Sequence, residues 1–239
     1  MIREAIILAG GRGTRLQPVV SDRPKPMALV AGRPFVEWLI LALQRQGVQR
    51  VALACGYLSE MVDQYLRRRG DLGLEVVVAR EQAPLGTAGA ARNALVPLRD
   101  DLVAVLNGDS YCPFELARLE ARQRCSAATG CLWLVRVDDG GRYGTVKVSD
   151  DGRIEDFQEK HVAAGPGLIN AGVYLFRRES LLSIPQGKSM SLEREFLPQI
   201  LQTGSLSAEV GPGPFVDIGT PESYQLATNL LEECLKPLR

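Results

Sequence analysis

The sequence predicts an α/β fold: a mostly parallel sheet with helices on both faces, joined by a smaller α+β region. Three observations carry that expectation. From the start to about residue 137, short runs rich in Val, Leu, Ile and Ala alternate with longer amphipathic segments. The first apolar run empties directly into Gly10, Gly11 and Gly13. With 239 residues, 46% of them hydrophobic and 23% charged, the chain suits a single globular unit of this class.

Taken in order, Glu4 to Ala9 is the first strand. Phe35 to Gln46 follows as a helix, with Pro34 at its first turn and Gly47 just past its end. Arg50 to Ala54 is a strand. Ser59 to Arg68 reads as a helix because Ser59 can cap its start and Met61, Val62, Tyr65 and Leu66 fall at helical spacing. Leu74 to Ala79 is a strand, Thr87 to Leu95 a helix, Leu102 to Leu106 a strand, Pro113 to Arg124 a helix and Cys131 to Val137 a strand.

After Val137 the rhythm changes. Tyr143 to Val148 and Arg153 to Gln158 flank Ser149-Asp150-Asp151-Gly152, a hairpin signal with Asp-Gly at its tip. Leu168 to Phe176 and Ser205 to Val210 are further strands, and Ser191 to Leu201 and Pro221 to Leu235 are helices. No low-complexity linker separates the halves. The chain therefore reads as one domain of two lobes, a core over about 1–137 and a smaller α+β lobe over about 138–239. No hexapeptide repeat follows the last helix, so an appended β-helix is not expected.

Composition excludes several classes. Lys+Arg and Asp+Glu both number 28, a balance that argues against a general nucleic-acid surface or an electrostatic membrane footprint. The five cysteines form no C-x-x-C pair and the one histidine, His161, is not near any of them, so no zinc site is expected. Scattered among apolar neighbours, they read as buried free thiols in a reducing compartment. The apolar run Ala5 to Ala9 is too short for a signal peptide, and no segment approaches the ~20 apolar residues of a membrane helix. A cytoplasmic protein is the expectation, and a homo-oligomer is compatible with it.

The chemistry begins at Leu8-Ala9-Gly10-Gly11-Arg12-Gly13-Thr14-Arg15-Leu16, followed by Pro24-Lys25-Pro26. Glycines let backbone N–H groups approach an anion closely, and the cations neutralise what is held there. This is a phosphate loop at the end of the first strand. It is not a Walker A loop, which needs Gly-Lys-Ser/Thr. It is not a dinucleotide fingerprint either, since Leu16 stands where the last glycine should pack helix on strand. Arginine suits bidentate capture of phosphate oxygens, and the loop carries two. Leu106-Asn107-Gly108-Asp109 ends an apolar run with a carboxylate, and Asp217 sits between Val216 and Ile218, where an unpaired charge is costly to bury.

The loop, the Pro-Lys-Pro motif, the two aspartate motifs, Phe157-Gln158-Glu159-Lys160 and Asn170-Ala171-Gly172 together resemble the signature of the sugar-phosphate nucleotidyltransferases, from Leu8 to Tyr224. The resemblance implies a Rossmann-like, GT-A-like fold with a nucleotide-binding core and a sugar-binding lobe. It implies catalytic roles for Arg15, Lys25 and Asp109, and a Mg2+ ion held by Asp109 and Asp217. Arg15 would meet the β/γ phosphates and Lys25 the α-phosphate and the incoming sugar phosphate. Leu8, Ala9, Gly10, Gly11, Gly13, Thr14, Glu81, Pro84, Gly86, Thr87 and Gly108 would bind the nucleotide, with Thr87 also able to cap its helix. Tyr143, Gly144, Glu159, Lys160, Asn170 and Gly172 would bind the sugar.

Glu81 points to the base. Relatives that use thymidine or uridine triphosphate often carry glutamine there, whereas a carboxylate only accepts hydrogen bonds and so suits the adjacent N1–H and N2–H2 donors of guanine. GTP is therefore the expected nucleotide. Within the family the motifs look most like those of heptose 1-phosphate guanylyltransferases, which act on D-glycero-α-D-manno-heptose 1-phosphate to activate heptose for surface glycans. Guanylyltransferases for mannose 1-phosphate and uridylyltransferases for N-acetylmuramate 1-phosphate come next. A catalytically silent sugar-nucleotide-binding subunit is the alternative of another class. It would be marked by loss of Arg15, Lys25, Asp109 or Asp217, all of which are present.

Overall fold

The computed structural model describes all residues except 12–15, 17–18, 21, 57, 159–164 and 235–239, together with the side chains at 229 and 232–234. Strand β1 (Glu4–Leu8) leads through a small hairpin, β2 (Leu29–Val30) and β3 (Arg33–Pro34), into α1 (Phe35–Arg45). Next come β4 (Arg50–Cys55), α2 (Ser59–Arg69), β5 (Glu75–Arg80), α3 (Gly86–Ala94), β6 (Leu102–Asn107), β7 (Ser110–Tyr111), α4 (Leu116–Ser126) and β8 (Gly130–Val137). The hairpin strands β9 (Thr145–Val148) and β10 (Ile154–Gln158) precede β11 (Gly167–Arg177) and α5 (Arg178–Leu182). A π-helical turn (Leu192–Phe196) runs into α6 (Leu197–Thr203), followed by β12 (Leu206–Gly211), β13 (Val216–Asp217) and α7 (Pro221–Cys234).

Seven strands form one sheet in the order β12-β8-β11-β6-β1-β4-β5. All are parallel except β11, which runs antiparallel to both of its neighbours. Two strands from beyond residue 138 therefore belong to the main sheet, and β11 is threaded between β6 and β8. The proposed boundary near residue 137 is not a break in the sheet.

From β1 the chain steps to β4 and β5 on one side, then returns to β6 on the other. Such a reversal of strand order opens a crevice at the carboxyl ends of the two strands where it occurs. Here these ends are Leu8 and Asn107, which are paired in register.

Both faces of the sheet are buried, and the period of two along each strand splits its residues between two cores. Ile7, Leu53, Leu106 and Trp133 pack with Phe35, Leu39 and Leu43 of α1, Leu119 of α4 and Leu231 of α7. Ile6, Ala52, Val105, Leu132 and Tyr174 pack on the other side with Ala88 and Ala91 of α3 and with Phe196 and Leu197.

Several local expectations need correction. Ser59 is not a cap: Leu58 holds the N-cap position with φ 54° and no side chain caps the helix. Thr87 does not cap α3 either, because its hydroxyl serves residues 192 and 193 instead. The helix expected from Ser191 opens with a π turn. Cys55, Cys112 and Cys131 are buried thiols outside any disulfide, but Cys125 is exposed at the end of α4. Burial pushes the thiols of Cys55 and Cys131 up to about 12, which keeps them protonated and unreactive. Among the described residues no helix is long and apolar enough to cross a membrane.

Trp133 is fully buried, donates Nε1–H to the Pro113 carbonyl at 3.0 Å and lies under Arg118. Trp133→Ala should destabilise the fold by about 3–5 kcal/mol, read as a lower urea midpoint. An unchanged midpoint would contradict this packing.

Candidate active site

Glycine sets the geometry at the crevice. The Gly108 N–H donates to the Leu8 carbonyl at 3.0 Å, so the loops after β1 and β6 are stitched together. A Cβ at Gly108 would collide with that carbonyl, which is backbone and cannot turn away. A Cβ at Gly10 would fall on Glu81 Oε1, so the phosphate loop and the expected base reader pack directly together.

Lys25 stands in a short 3-10 turn (Lys25–Met27) between two prolines. Its side chain is 10% exposed and its Nζ donates to Asp109 Oδ2 at 2.6 Å. The Asp109 side chain is 47% exposed, more open than its motif suggests. Residues 217 and 109 come together because β13 pairs antiparallel with β7 and the Ile218 N–H donates to the Asp109 carbonyl at 2.9 Å.

Asp217 is 17% exposed and fully engaged. Its Oδ1 accepts from the Gly219 N–H (2.6 Å) and Ser223 Oγ (3.0 Å), and its Oδ2 from Arg142 Nη2 (3.0 Å) and the Tyr143 hydroxyl (3.2 Å). Burial, reinforced by the Asp217 charge, pushes the Tyr143 phenol up to about 12, so it remains a donor.

Two cavities meet here. The first, of about 670 Å³, is lined by Leu8, Gly10, Gly11, Glu81, Pro84, Gly86, Thr87 and Gly108, all expected to bind the nucleotide. Ala9 does not line it: its side chain is buried and its N–H donates to the Ala54 carbonyl at 2.8 Å. The second cavity, of about 430 Å³, is lined by Tyr143, Gly144, Asn170, Gly172 and Asp217, with Phe157 and Gln158 beside them. Lys25, Asn107, Asp109 and Glu193 line both.

Burial raises the Glu81 carboxyl above its ordinary value, although the Leu85 N–H, which donates to Oε2 at 3.1 Å, offsets part of the effect. Asn170 and Gly172 reach the second cavity through a bulge in β11, where the register against β8 shifts between Asn170 and Tyr174. Gly172 has φ +74°, and a Cβ there would lie 2.8 Å from Asn107 Nδ2. The expected roles of Gly13, Thr14, Arg15, Glu159 and Lys160 lie outside the described residues.

Several wall residues are absent from the expected set, among them Asn107, Arg142 and Glu193. Asn107 sits inside the quoted Asn-Gly-Asp motif and could have been read from it. Arg142 directly precedes the expected Tyr143-Gly144 pair and could have been read with it, whereas Glu193, a charge in helical context, carries no such signal.

A sheet with this switch point, carrying a lysine–carboxylate pair between two cavities, is the architecture of a nucleotidyl transferase. The chain matches that family over residues 4–233 and belongs to it. It is 36% identical over 221 residues to the D-glycero-α-D-manno-heptose 1-phosphate guanylyltransferase of Campylobacter jejuni, covering 92% of this chain and 96% of that one. It is also 36% identical over 223 residues to the mannose-1-phosphate guanylyltransferase of Mycobacterium tuberculosis, of which it spans only 62%. The crystal structure of HddC from Yersinia pseudotuberculosis complexed with GMP-PN superposes with a TM-score of 0.85 at 34% identity, covering 96% of this chain and 99% of that one.

The stitch at Gly108 is directly testable. Gly108→Ala should cost about 1–3 kcal/mol in unfolding free energy. Gly11→Ala, with nothing within 4 Å of the added methyl group, should leave stability unchanged. Equal midpoints for the two variants would contradict the contact.

Proposed function

We propose that this chain transfers the guanylyl group of GTP to a sugar 1-phosphate, D-glycero-α-D-manno-heptose 1-phosphate, giving GDP-heptose and pyrophosphate. The observation that carries the reading is the Lys25–Asp109 pair on the common wall of the two cavities, where two bound phosphates would have to meet. Relatives of full matching length that act on the heptose phosphate support this acceptor, and mannose 1-phosphate is the second to test.

The reaction is a single in-line displacement. An anionic oxygen of the sugar phosphate attacks the α-phosphorus of GTP, forming a new P–O bond. The bond from that phosphorus to the β-phosphate oxygen breaks, and pyrophosphate leaves with the electron pair. The attacking oxygen is already deprotonated, so no general base is needed. The work left to the protein is positioning and charge neutralisation. Lys25 bridges the two substrates, and Arg15 meets the leaving phosphates. Asn170, Gly172 and Tyr143 face the sugar, and the family resemblance assigns Glu159 and Lys160 to the same substrate.

The donor set also fits a magnesium ion. The half-exposed Asp109 carboxylate is a hard oxygen donor, and Asp217, held beside it by the β7–β13 pairing, would join it by giving up one of its four hydrogen-bond donors. Mg2+ is commonly held by one or two carboxylates plus substrate phosphates. When bound there, the ion supplies further neutralisation of phosphate charge. Free thiols accord with a cytoplasmic setting.

Pyrophosphate release with a panel of nucleoside triphosphates and sugar 1-phosphates tests the reading. Turnover should be highest with GTP and the heptose phosphate. Preference for mannose 1-phosphate would replace the acceptor, and no turnover with any pair would overturn the reading.

Glu81 adds a prediction with a defined sign. The carboxylate accepts from guanine only when charged, so kcat/KM for GTP should fall as pH drops through its raised value, above the ordinary carboxylate range. Glu81→Gln should remove that acid limb and lower kcat/KM for GTP by ~10- to 100-fold, the worth of hydrogen bonds to a charged group. A variant with wild-type preference for GTP would contradict the assignment.

A further inference from the structure

Glu193 lies on the wall between the two cavities and has no part in the reaction described above. Its place follows from the backbone. Residues 188–191 cross the amino end of α3 as a strap. The Met190 N–H donates to the Leu85 carbonyl at 2.9 Å, and the Met190 carbonyl accepts from the Ala88 N–H at 2.9 Å. Gly86 and Gly89 permit this approach, since a Cβ at either would come within 2.5 Å of a strap carbonyl, that of Met190 or Lys188. The π turn follows, capped at both ends of a reciprocal pair: Ser191 Oγ accepts from the Arg194 N–H, and Glu195 Oε2 from the Ser191 N–H. Turns of this kind often mark functional sites.

The carboxylate so delivered receives four donors. Oε1 accepts from Asn107 Nδ2 (3.3 Å) and the Tyr174 hydroxyl (3.1 Å). Oε2 accepts from Thr87 Oγ1 (3.1 Å) and Ser191 Oγ (3.4 Å). Among the described residues none of its partners is a cation. A carboxylate only accepts, so each neighbour must present its hydrogen to it.

That requirement sets polarity on both sides. Asn107 has to turn its Nδ2 to Glu193, which leaves its buried Oδ1 as an acceptor without a partner. Thr87 donates to Glu193 while accepting the Leu192 N–H at 2.7 Å, which fixes a hydroxyl lining the first cavity. Tyr174 donates to Glu193 while accepting from Asn170 Nδ2 at 2.9 Å, which fixes a side chain lining the second. Burial and the Glu193 charge hold the Tyr174 phenol well above its ordinary value, so that link stays protonated.

We infer that Glu193 is a positioning residue for both substrates: through Thr87 it orients the nucleotide side, through Tyr174 and Asn170 the sugar side, and through Asn107 the wall they share. This rests on the guanylyltransferase reading, in which the two cavities hold the two substrates.

Glu193→Gln keeps the shape but turns an NH2 group toward neighbours that themselves donate, so Asn107 or Thr87 must reorient. The variant should keep a wild-type melting temperature within about 5 °C and raise KM for GTP and for the sugar 1-phosphate together, by ~3- to 10-fold each. Tyr174→Phe, which removes a donor on the sugar side alone, should raise KM for the sugar 1-phosphate without changing that for GTP. Calorimetric titration with GTP and with the sugar 1-phosphate should show the same split.

Wild-type values in Glu193→Gln, or losses that only track unfolding, would overturn the inference. If that variant does not fold, Tyr174→Phe decides: an unchanged sugar KM, or equal changes for both substrates, would overturn it. A wild-type protein that turns over no pair and binds neither ligand would overturn the functional reading, and this inference with it.

Discussion

The contact between Lys25 Nζ and Asp109 Oδ2 is the constraint around which the site is arranged. A lysine ammonium that is nearly buried needs a charge partner, because an unpaired ion in a low-dielectric setting is costly. The partner is a half-exposed aspartate at the end of a central strand. Its position depends on the Gly108 approach to Leu8, on the β7–β13 pairing and on the proline-flanked turn that holds Lys25. The pair therefore sets a nearly buried cation beside a carboxylate open to solvent, on the wall common to both cavities.

Close approach without Cβ atoms recurs at each point where segments cross this centre. Gly86 and Gly89 bring α3 nearer to the strap backbone than a Cβ would allow, while Gly10 packs directly on the Glu81 side chain and Gly172 on that of Asn107. The consequence is close packing of the segments around the two cavities. Hydrogen bonds then set polarity within that frame. Asp217 takes four donors and so orients Tyr143 and Arg142, while Glu193 does the same for groups in both cavities.

Much of this was legible in the residues. The main-sheet strands of the first half match their predicted ranges to within a residue or so, because β-branched and leucine-rich runs leave a clear pattern; the two-residue strands β2, β3 and β7 are too short to leave one. The Asp-Gly hairpin signal also holds, with Gly152 at φ +78°. The antiparallel insertion of β11 between β6 and β8 was not legible, since a run such as Leu168 to Phe176 is equally apolar in either direction. Thr87 looked like a helix cap because hydroxyls before helices usually are, but the π turn, 105 residues away at Leu192, claims it. Glu193 was invisible for a related reason: a charged residue in a polar stretch gives no hint that tertiary contacts will turn it inward.

The central claim, that Lys25 and Asp109 act as one unit at the meeting point of two phosphates, is tested most directly by a double-mutant cycle on kcat/KM. Lys25→Met and Asp109→Asn should each lower kcat/KM with GTP and the sugar 1-phosphate by at least ~10²-fold. The double variant should be little worse than the poorer single one, since residues that act together are strongly non-additive. Losses that multiply, or an Asp109→Asn variant retaining most of its activity, would contradict the account.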